Sequence, residues 1–288
     1  MKKNYLVILI ILFSGLIFSV DRSDIGADDT NTFGDMCPKD GTRFGHTVVL
    51  VDTTAPLSKA QSTIIDRLVL DNRILKKIPP YDRFSILNLN GADIQASETN
   101  FIFSKCRPRN GESTSPHKAD HGTFWNPERK LKVNWNLFLG SLNNIKDSLD
   151  KQPGGNFTQL IEMLKELSRL PDLEFDDTYE TRKLIIVSDL VQASESLNLY
   201  EECSIAYNRT AKCPSWNKLK EKRSFKNWIR TSLPDFGSYN PEIEIIYLNS
   251  NVDPKLNIGI LEIWEDFFSD LGISRLKIEV ETSNRRFQ

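Results

Sequence analysis

The chain has 288 residues, 39% of them hydrophobic and 26% charged, an ordinary globular composition that can bury a core. Lys and Arg total 37 against 39 Asp and Glu, for a net charge of −2. That balance argues against general nucleic-acid binding, which wants a strongly basic surface.

The first 20 residues read as an export segment. Met1-Lys2-Lys3 is a short basic start, and Tyr5 to Val20 (YLVILIILFSGLIFSV) is almost wholly apolar. The run is short for a spanning helix, which needs about 20 residues. Cleavage after Ser19 would place Ile17 where a small residue is usual. A cleaved signal peptide and an uncleaved membrane anchor over residues 4–20 therefore both stand. Either puts the remainder in the periplasm or another extracytoplasmic space, touching membrane only through this segment.

Residues 21–43 are polar and acidic, and read as a linker or as an N-terminal arm held by Cys37. From residue 44 to the end the pattern is that of a domain. His46 to Val51 (HTVVLV) is a β-branched run expected to form a strand buried on both faces. It ends in Asp52-Thr53-Thr54-Ala55-Pro56. Ser58 to Leu75 has helical periodicity through Ile64, Ile65, Leu68 and Val69. Strands are expected at Arg83–Leu89 and Phe101–Ser104, the second beside the first. Residues 107–128 read as loop, and Val133–Leu149 as a helix. Pro153-Gly154-Gly155 breaks it, and a helix follows over Asn156–Leu170. Lys183–Val187 is a buried strand running into Ser188-Asp189. Trp216–Arg230 is expected to be one helix, basic with interleaved aromatics and without one clean apolar stripe. Ile243–Leu248 is a strand, Asn257–Leu271 a helix with Trp264, Phe267 and Phe268 in the core, and Leu276–Val280 the last strand. This alternation specifies an α/β fold: a doubly wound, mostly parallel sheet with helices on both faces and one antiparallel edge strand.

All four cysteines, Cys37, Cys106, Cys203 and Cys213, follow the export segment, and their number is even, which suits disulfides in an oxidising compartment. Cys203 and Cys213 flank a polar loop and form a natural local bridge, leaving Cys37 to Cys106. Three pairings are formally open. No CxxC motif occurs.

Ligands of such sheets sit beyond the carboxyl ends of the strands, where strand order reverses. Asp52 follows the first strand and Asp189 the fourth, with Thr158 after the Gly154-Gly155 turn. Converging carboxylates and hydroxyls suit a hard divalent cation. The competing use of Asp52, Asp189 and Thr158 is to cap the helices after them, with Glu162 assisting Thr158. Asp52-Thr53-Thr54-Ala55-Pro56 resembles the DxSxS motif of von Willebrand factor type A domains. Gly154-Gly155-Asn156-Phe157-Thr158 resembles their second metal-ion loop, and Leu184 to Asp189 the strand ending in their third-loop aspartate. The resemblance spans residues 44–281. It implies a Rossmann-like domain with a metal-ion-dependent adhesion site built from Asp52, Thr54, Thr158 and Asp189. There Mg²⁺, or in its place Mn²⁺ or Ca²⁺, takes an acidic side chain from a protein partner. The motif is degenerate: Thr54 keeps the hydroxyl of the first serine, and Pro56 lacks that of the second.

That reading is a binding module and not an enzyme. The alternatives are an envelope scaffold with a vestigial site, or a Mg-dependent phosphoryl-transfer enzyme using Asp52. GxSxG, P-loop and HExxH motifs are all missing. His117 and His121 have metal-like spacing, but Pro116 and Gly122 make their segment a loop, and His46 reads as structural. Asn156-Phe157-Thr158 and Asn208-Arg209-Thr210 match the N-glycosylation pattern.

Overall fold

The computed structural model describes residues 21–32, 34–54, 58–67, 74–89, 101–110, 127–150, 158–169, 179–236, 240–248 and 254–281. The apolar run at residues 5–20, His117, His121 and Gly154 to Phe157 lie outside them. So do residues 68–73 of the expected helix over Ser58–Leu75, and residues 156, 157 and 170 of that over Asn156–Leu170.

Six strands form one sheet: β1 (Gly45–Asp52), β2 (Arg83–Leu89), β3 (Phe101–Cys106), β4 (Thr181–Ser188), β5 (Glu242–Leu248) and β6 (Leu276–Glu281). Their order is β3-β2-β1-β4-β5-β6. All neighbours are parallel except β3, the antiparallel edge strand on β2. The chain thus winds outward from β1 in one direction and from β4 in the other, and strand order reverses between them. This is the doubly wound α/β fold that the sequence pattern specifies.

Alternation along each strand divides the core into two layers. Val48 and Leu50 of β1, Leu184 and Ile186 of β4, and Ile243 and Ile245 of β5 point to one face. Helices α3 (Leu160–Leu167), α4 (Leu199–Thr210), α5 (Trp216–Glu221), α6 (Arg223–Ser232) and α7 (Pro254–Asp270) cover that face. Val49, Val51, Ile185 and Val187 point to the other, against α1 (Lys59–Ile65) and α2 (Pro127–Asp150). All eight residues of β1 are buried, which is why the strand reads as a continuous apolar run. Each such aliphatic side chain contributes about 1.5–3 kcal/mol on full burial. Trp264, Phe267 and Phe268 pack edge-on within the first layer, as their helical spacing predicts, and the Trp264 indole donates to the Leu190 carbonyl at 2.9 Å.

Local signals set several helix ends. Ser58 and Gln61 form a reciprocal capping box at the start of α1. Pro127 opens α2, six residues before the expected Val133 and inside the expected loop, because proline at a first helical turn needs no N–H partner. Two expectations are corrected. The segment between Cys203 and Cys213 is not a loop: α4 runs to Thr210, capped by Asn198 on the Glu201 N–H and closed by left-handed Ala211. Only Leu199 and Cys203 of α4 are buried, so its periodicity is nearly silent. Trp216–Arg230 is two helices, broken at Lys222, whose ψ of 128° is extended. Each has its own buried side, Trp216 with Leu219 and Phe225 with Ile229. That is why one helical frame shows no clean stripe.

The disulfides are Cys37–Cys106 and Cys203–Cys213, which place the chain in an oxidising, extracytoplasmic compartment. Cys213 lies against Gly259 of α7, where a Cβ would collide with its sulfur. The arm over residues 21–43 packs on the end of the sheet where the parallel strands begin. Ile25 clusters with Phe44 and Tyr81, Arg22 pairs with Asp82 at 2.6 Å, and the Cys106 N–H donates to the Asp35 carbonyl at 2.7 Å. Among the described residues no helix is long and apolar enough to cross a membrane.

Candidate functional site

Asp52 closes β1 and Asp189 directly follows β4, so both stand at the carboxyl edge where strand order reverses. Asp52 is buried, 6% exposed. Its Oδ1 accepts from the Thr54 N–H at 3.0 Å and the Thr54 hydroxyl at 2.6 Å. Its Oδ2 accepts from the Ser188 hydroxyl at 2.6 Å. Thr54 Oγ1 also lies 2.6 Å from Thr158 Oγ1. Because the Thr54 proton already goes to Asp52, Thr158 is the donor in that pair. A relay of hydroxyls therefore runs from Thr158 through Thr54 to Asp52, linking the loops after β1 and before α3.

The loop after β4 is wired to the same place. Asp189 Oδ1 accepts from the Val191 N–H at 3.1 Å. The Ala193 N–H donates to the Thr158 carbonyl at 2.8 Å, forming an isolated bridge. Gln192, fully buried, accepts from the Ile161 N–H at 2.9 Å and donates to Glu162 at 2.9 Å. Gln192 is thus the group that caps α3. Gln159, at the cap position, makes no side-chain cap bond. Leu190 between them has φ +58°, strained for a branched side chain. Its N–H donates to Ser188 Oγ at 2.8 Å.

The helix-capping alternative for these residues does not hold. Asp52 and Asp189 both accept N–H groups two residues ahead, in turns rather than at helix starts. Thr158 precedes α3 and gives its hydroxyl to Thr54, and Glu162 serves Gln192 and the Trp228 indole.

The electrostatics set this corner apart. Burial pushes the Asp52 carboxyl above its ordinary value, and hydrogen bonds from Ser188 and Thr54 oppose that only partly. Burial, and then the neighbouring Asp52 charge, push Asp189 to about 6. No Lys or Arg pairs with either carboxylate among the described residues. Two mutually repelling carboxylates beside two hydroxyls are an oxygen-only set of the kind a hard divalent cation relieves. Among the described residues no group of three or more His, Cys, Asp or Glu forms a metal cage. Such an ion would therefore rest on hydroxyls and water for the remainder of its shell.

All four residues singled out from the sequence belong to this corner: Asp52, Thr54 and Thr158 share hydrogen bonds, and Asp189 shares the electrostatic field of Asp52. Ser188 and Gln192 carry as much of its wiring and were missed as site residues. Ser188 had a signal, a hydroxyl beside Asp189 at a strand end. Gln192 had none, because its partners lie 30 and 31 residues away. His46 is buried, with Nε2 2.9 Å from Ser85 Oγ. No protein-family model and no curated protein sequence matches the chain.

Proposed function

We propose that this protein is an exported binding module of the von Willebrand factor A type. In this reading Asp52, Thr54, Thr158 and Asp189 hold Mg²⁺, with Mn²⁺ or Ca²⁺ as substitutes, against a protein partner that offers an acidic side chain. The bound ion would supply a Lewis-acidic position for that carboxylate. What supports the reading is one observation: two carboxylates without a cation partner among the described residues stand beside a Thr158–Thr54 hydroxyl relay at the strand-order reversal. Asp52 and Asp189 contribute charge. Thr54 and Thr158 contribute hydroxyl oxygens. Ser188, Gln192 and Leu190 hold the loops in register. Arg22, near the first described residue, pairs with Asp82 at the opposite end of the sheet. An N-terminal anchor in the envelope would therefore leave this corner facing away from the membrane.

Calorimetric titration with Mg²⁺ and Mn²⁺ tests the proposal. One site is expected, with binding lost in Asp52→Ala and weakened at least tenfold in Asp52→Asn. Absence of binding, or binding unchanged in both variants, removes the metal and leaves the scaffold reading. One feature favours that second reading: both Asp52 oxygens are already satisfied by the protein's own donors. As a scaffold, the protein would capture its partner equally well with Asp189→Ala and with chelator present.

A further inference from the structure

β6 ends the sheet, and among the described residues no strand pairs with its outer side. The Ile243 N–H donates to the Arg275 carbonyl at 2.9 Å, so Arg275, Lys277 and Glu279 turn their backbone groups toward β5. By alternation, Leu276, Ile278 and Val280 turn theirs outward. The side chains of these three share the helix-covered face with Ile243, Ile245 and Tyr247, their partners in register. Cover thins along the row: Leu276 and Ile278 are partly buried against the core, and Val280 is 45% exposed. On the opposite face Lys277 lies 3.6 Å from Glu244, its register partner, and also pairs with Glu279. Lys183 of β4 meets the same Glu244 at 2.5 Å. Opposite charges thus alternate across the strands from β4 to β6.

An open strand edge invites pairing, and proteins commonly block it with a charge that would meet its like. β6 carries the reverse of such a block. Its run Leu276-Lys277-Ile278-Glu279-Val280 is apolar at both ends and at the centre, with opposite charges on either side of Ile278. Laid antiparallel on a second β6 with Ile278 opposite Ile278, it sets Leu276 opposite Val280 and Lys277 opposite Glu279, twice over. The next residues outward, Arg275 and Glu281, carry opposite charges in the same register. Ile278 then falls in a hydrogen-bonded pair, and the charged residues fall in non-hydrogen-bonded pairs, where side chains approach more closely. Shifting the register by two residues puts Lys277 against Lys277 or Glu279 against Glu279. Shifting it by one puts apolar side chains against charged ones. Only the register centred on Ile278 suits both faces.

We propose that β6 is a dimerisation edge, at which two copies of this chain pair β6 to β6, antiparallel, about a two-fold axis at Ile278. The pairing joins two six-stranded sheets into one continuous sheet and continues the charge alternation of β4, β5 and β6 across the axis. Each apolar row gains cover from the other. Because the contact is self-complementary, it closes at two copies. The edge shares no residue with the Asp52 corner and does not rest on the function proposed there.

The test is sedimentation equilibrium of the purified full chain in non-ionic detergent, with chelator present, over a range of protein concentrations. A concentration-dependent dimer is expected. Glu279→Lys and Lys277→Glu should each weaken it at least tenfold, because like charges then face each other twice. An equimolar mixture of the two variants should restore it, since every lysine again meets a glutamate. Register is read independently from single added cysteines, because all four native cysteines are held in disulfides. Opposed Ile278 positions would lie about 5.5 Å apart, and Val280 positions roughly 14 Å. A short thiol cross-linker should therefore join Ile278→Cys chains and leave Val280→Cys chains single, although Val280 is the more exposed. The proposal is overturned by a monomer at every concentration, by association unchanged in Glu279→Lys, by a mixture that stays monomeric, or by equal cross-linking at the two positions.

Discussion

The Asp189 carboxylate shares a corner with buried Asp52 and has no cation partner among the described residues, and its pKa is raised from 3.8 to about 6. A folded-state value above the unfolded one means that ionisation opposes folding. The stability held below pH 3.8 is lost as pH rises through about 6. The difference corresponds to about 3 kcal/mol at neutral pH. Asp189→Asn keeps an acceptor for the Val191 N–H and removes the charge. It is expected to raise the unfolding free energy at pH 7, in chelator, by about 2–3 kcal/mol, and to give little change at pH 4. Urea titrations at the two pH values check this. The same variant should lose the Mg²⁺ heat, so one carboxylate sets stability against binding. Below pH 6 the wild-type protein should bind Mg²⁺ progressively less, because Asp189 takes up a proton.

At the scale of elements, the N-terminal halves of the central strands are joined by charge as well as by backbone. Glu244 on β5 is 1% exposed and meets Lys183 of β4 at 2.5 Å, Lys77 at 3.0 Å and Lys277 of β6 at 3.6 Å. Burial alone would raise its pKa, but the hydrogen bonds and charges of Lys183 and Lys77 outweigh it and hold the carboxyl at about 2. Here the folded value lies below the unfolded one. The stabilisation is present above pH 4.5 and is lost as pH falls through about 2. Glu244→Gln removes the carboxylate shared by Lys183 and Lys77, leaving Lys183 only its Glu242 partner at 2.9 Å, and is expected to cost about 3 kcal/mol at pH 7. It should also flatten the acid limb of the stability profile, read from urea midpoints between pH 2 and 6. The sequence shows Glu244 only as a polar residue within an apolar strand. Its three partners come from separate elements, so no local pattern reveals the network.

Across the whole molecule, the two disulfides constrain chain segments of very different length. Cys37–Cys106 spans 69 residues and Cys203–Cys213 spans 10. Loop-closure entropy gives about 4 kcal/mol for the longer loop and about 3 for the shorter. Replacing Cys37 and Cys106 together by Ser should therefore lower the urea midpoint more than replacing Cys203 and Cys213. It should also make the arm sensitive to proteolysis near residue 40, because the arm's other ties, such as Arg22–Asp82 and the Ile25 cluster, lie earlier in the chain. Mass spectrometry of the first cleavage products distinguishes the two cases.

What the sequence determined by itself was the part carried by periodicity. Continuous apolar runs at His46–Val51, Lys183–Val187 and Ile243–Leu248 specified buried parallel strands, and the alternation with helices specified the doubly wound class. Asp52 and Asp189 were legible because a charged residue at the end of such a run stands at the carboxyl edge of the sheet. Helix α4 was not legible, since only Leu199 and Cys203 reach the core, and neither was the break at Lys222, which depends on one backbone angle. Only the tertiary structure decided which groups meet. It showed Asp52 and Asp189 as acceptors in turns and not as the alternative helix caps, brought Gln192 to the start of α3, and set Lys39, Arg43 and Arg83 around one cavity. These contacts join residues tens of positions apart, and they exist only once the sheet has placed its two ends.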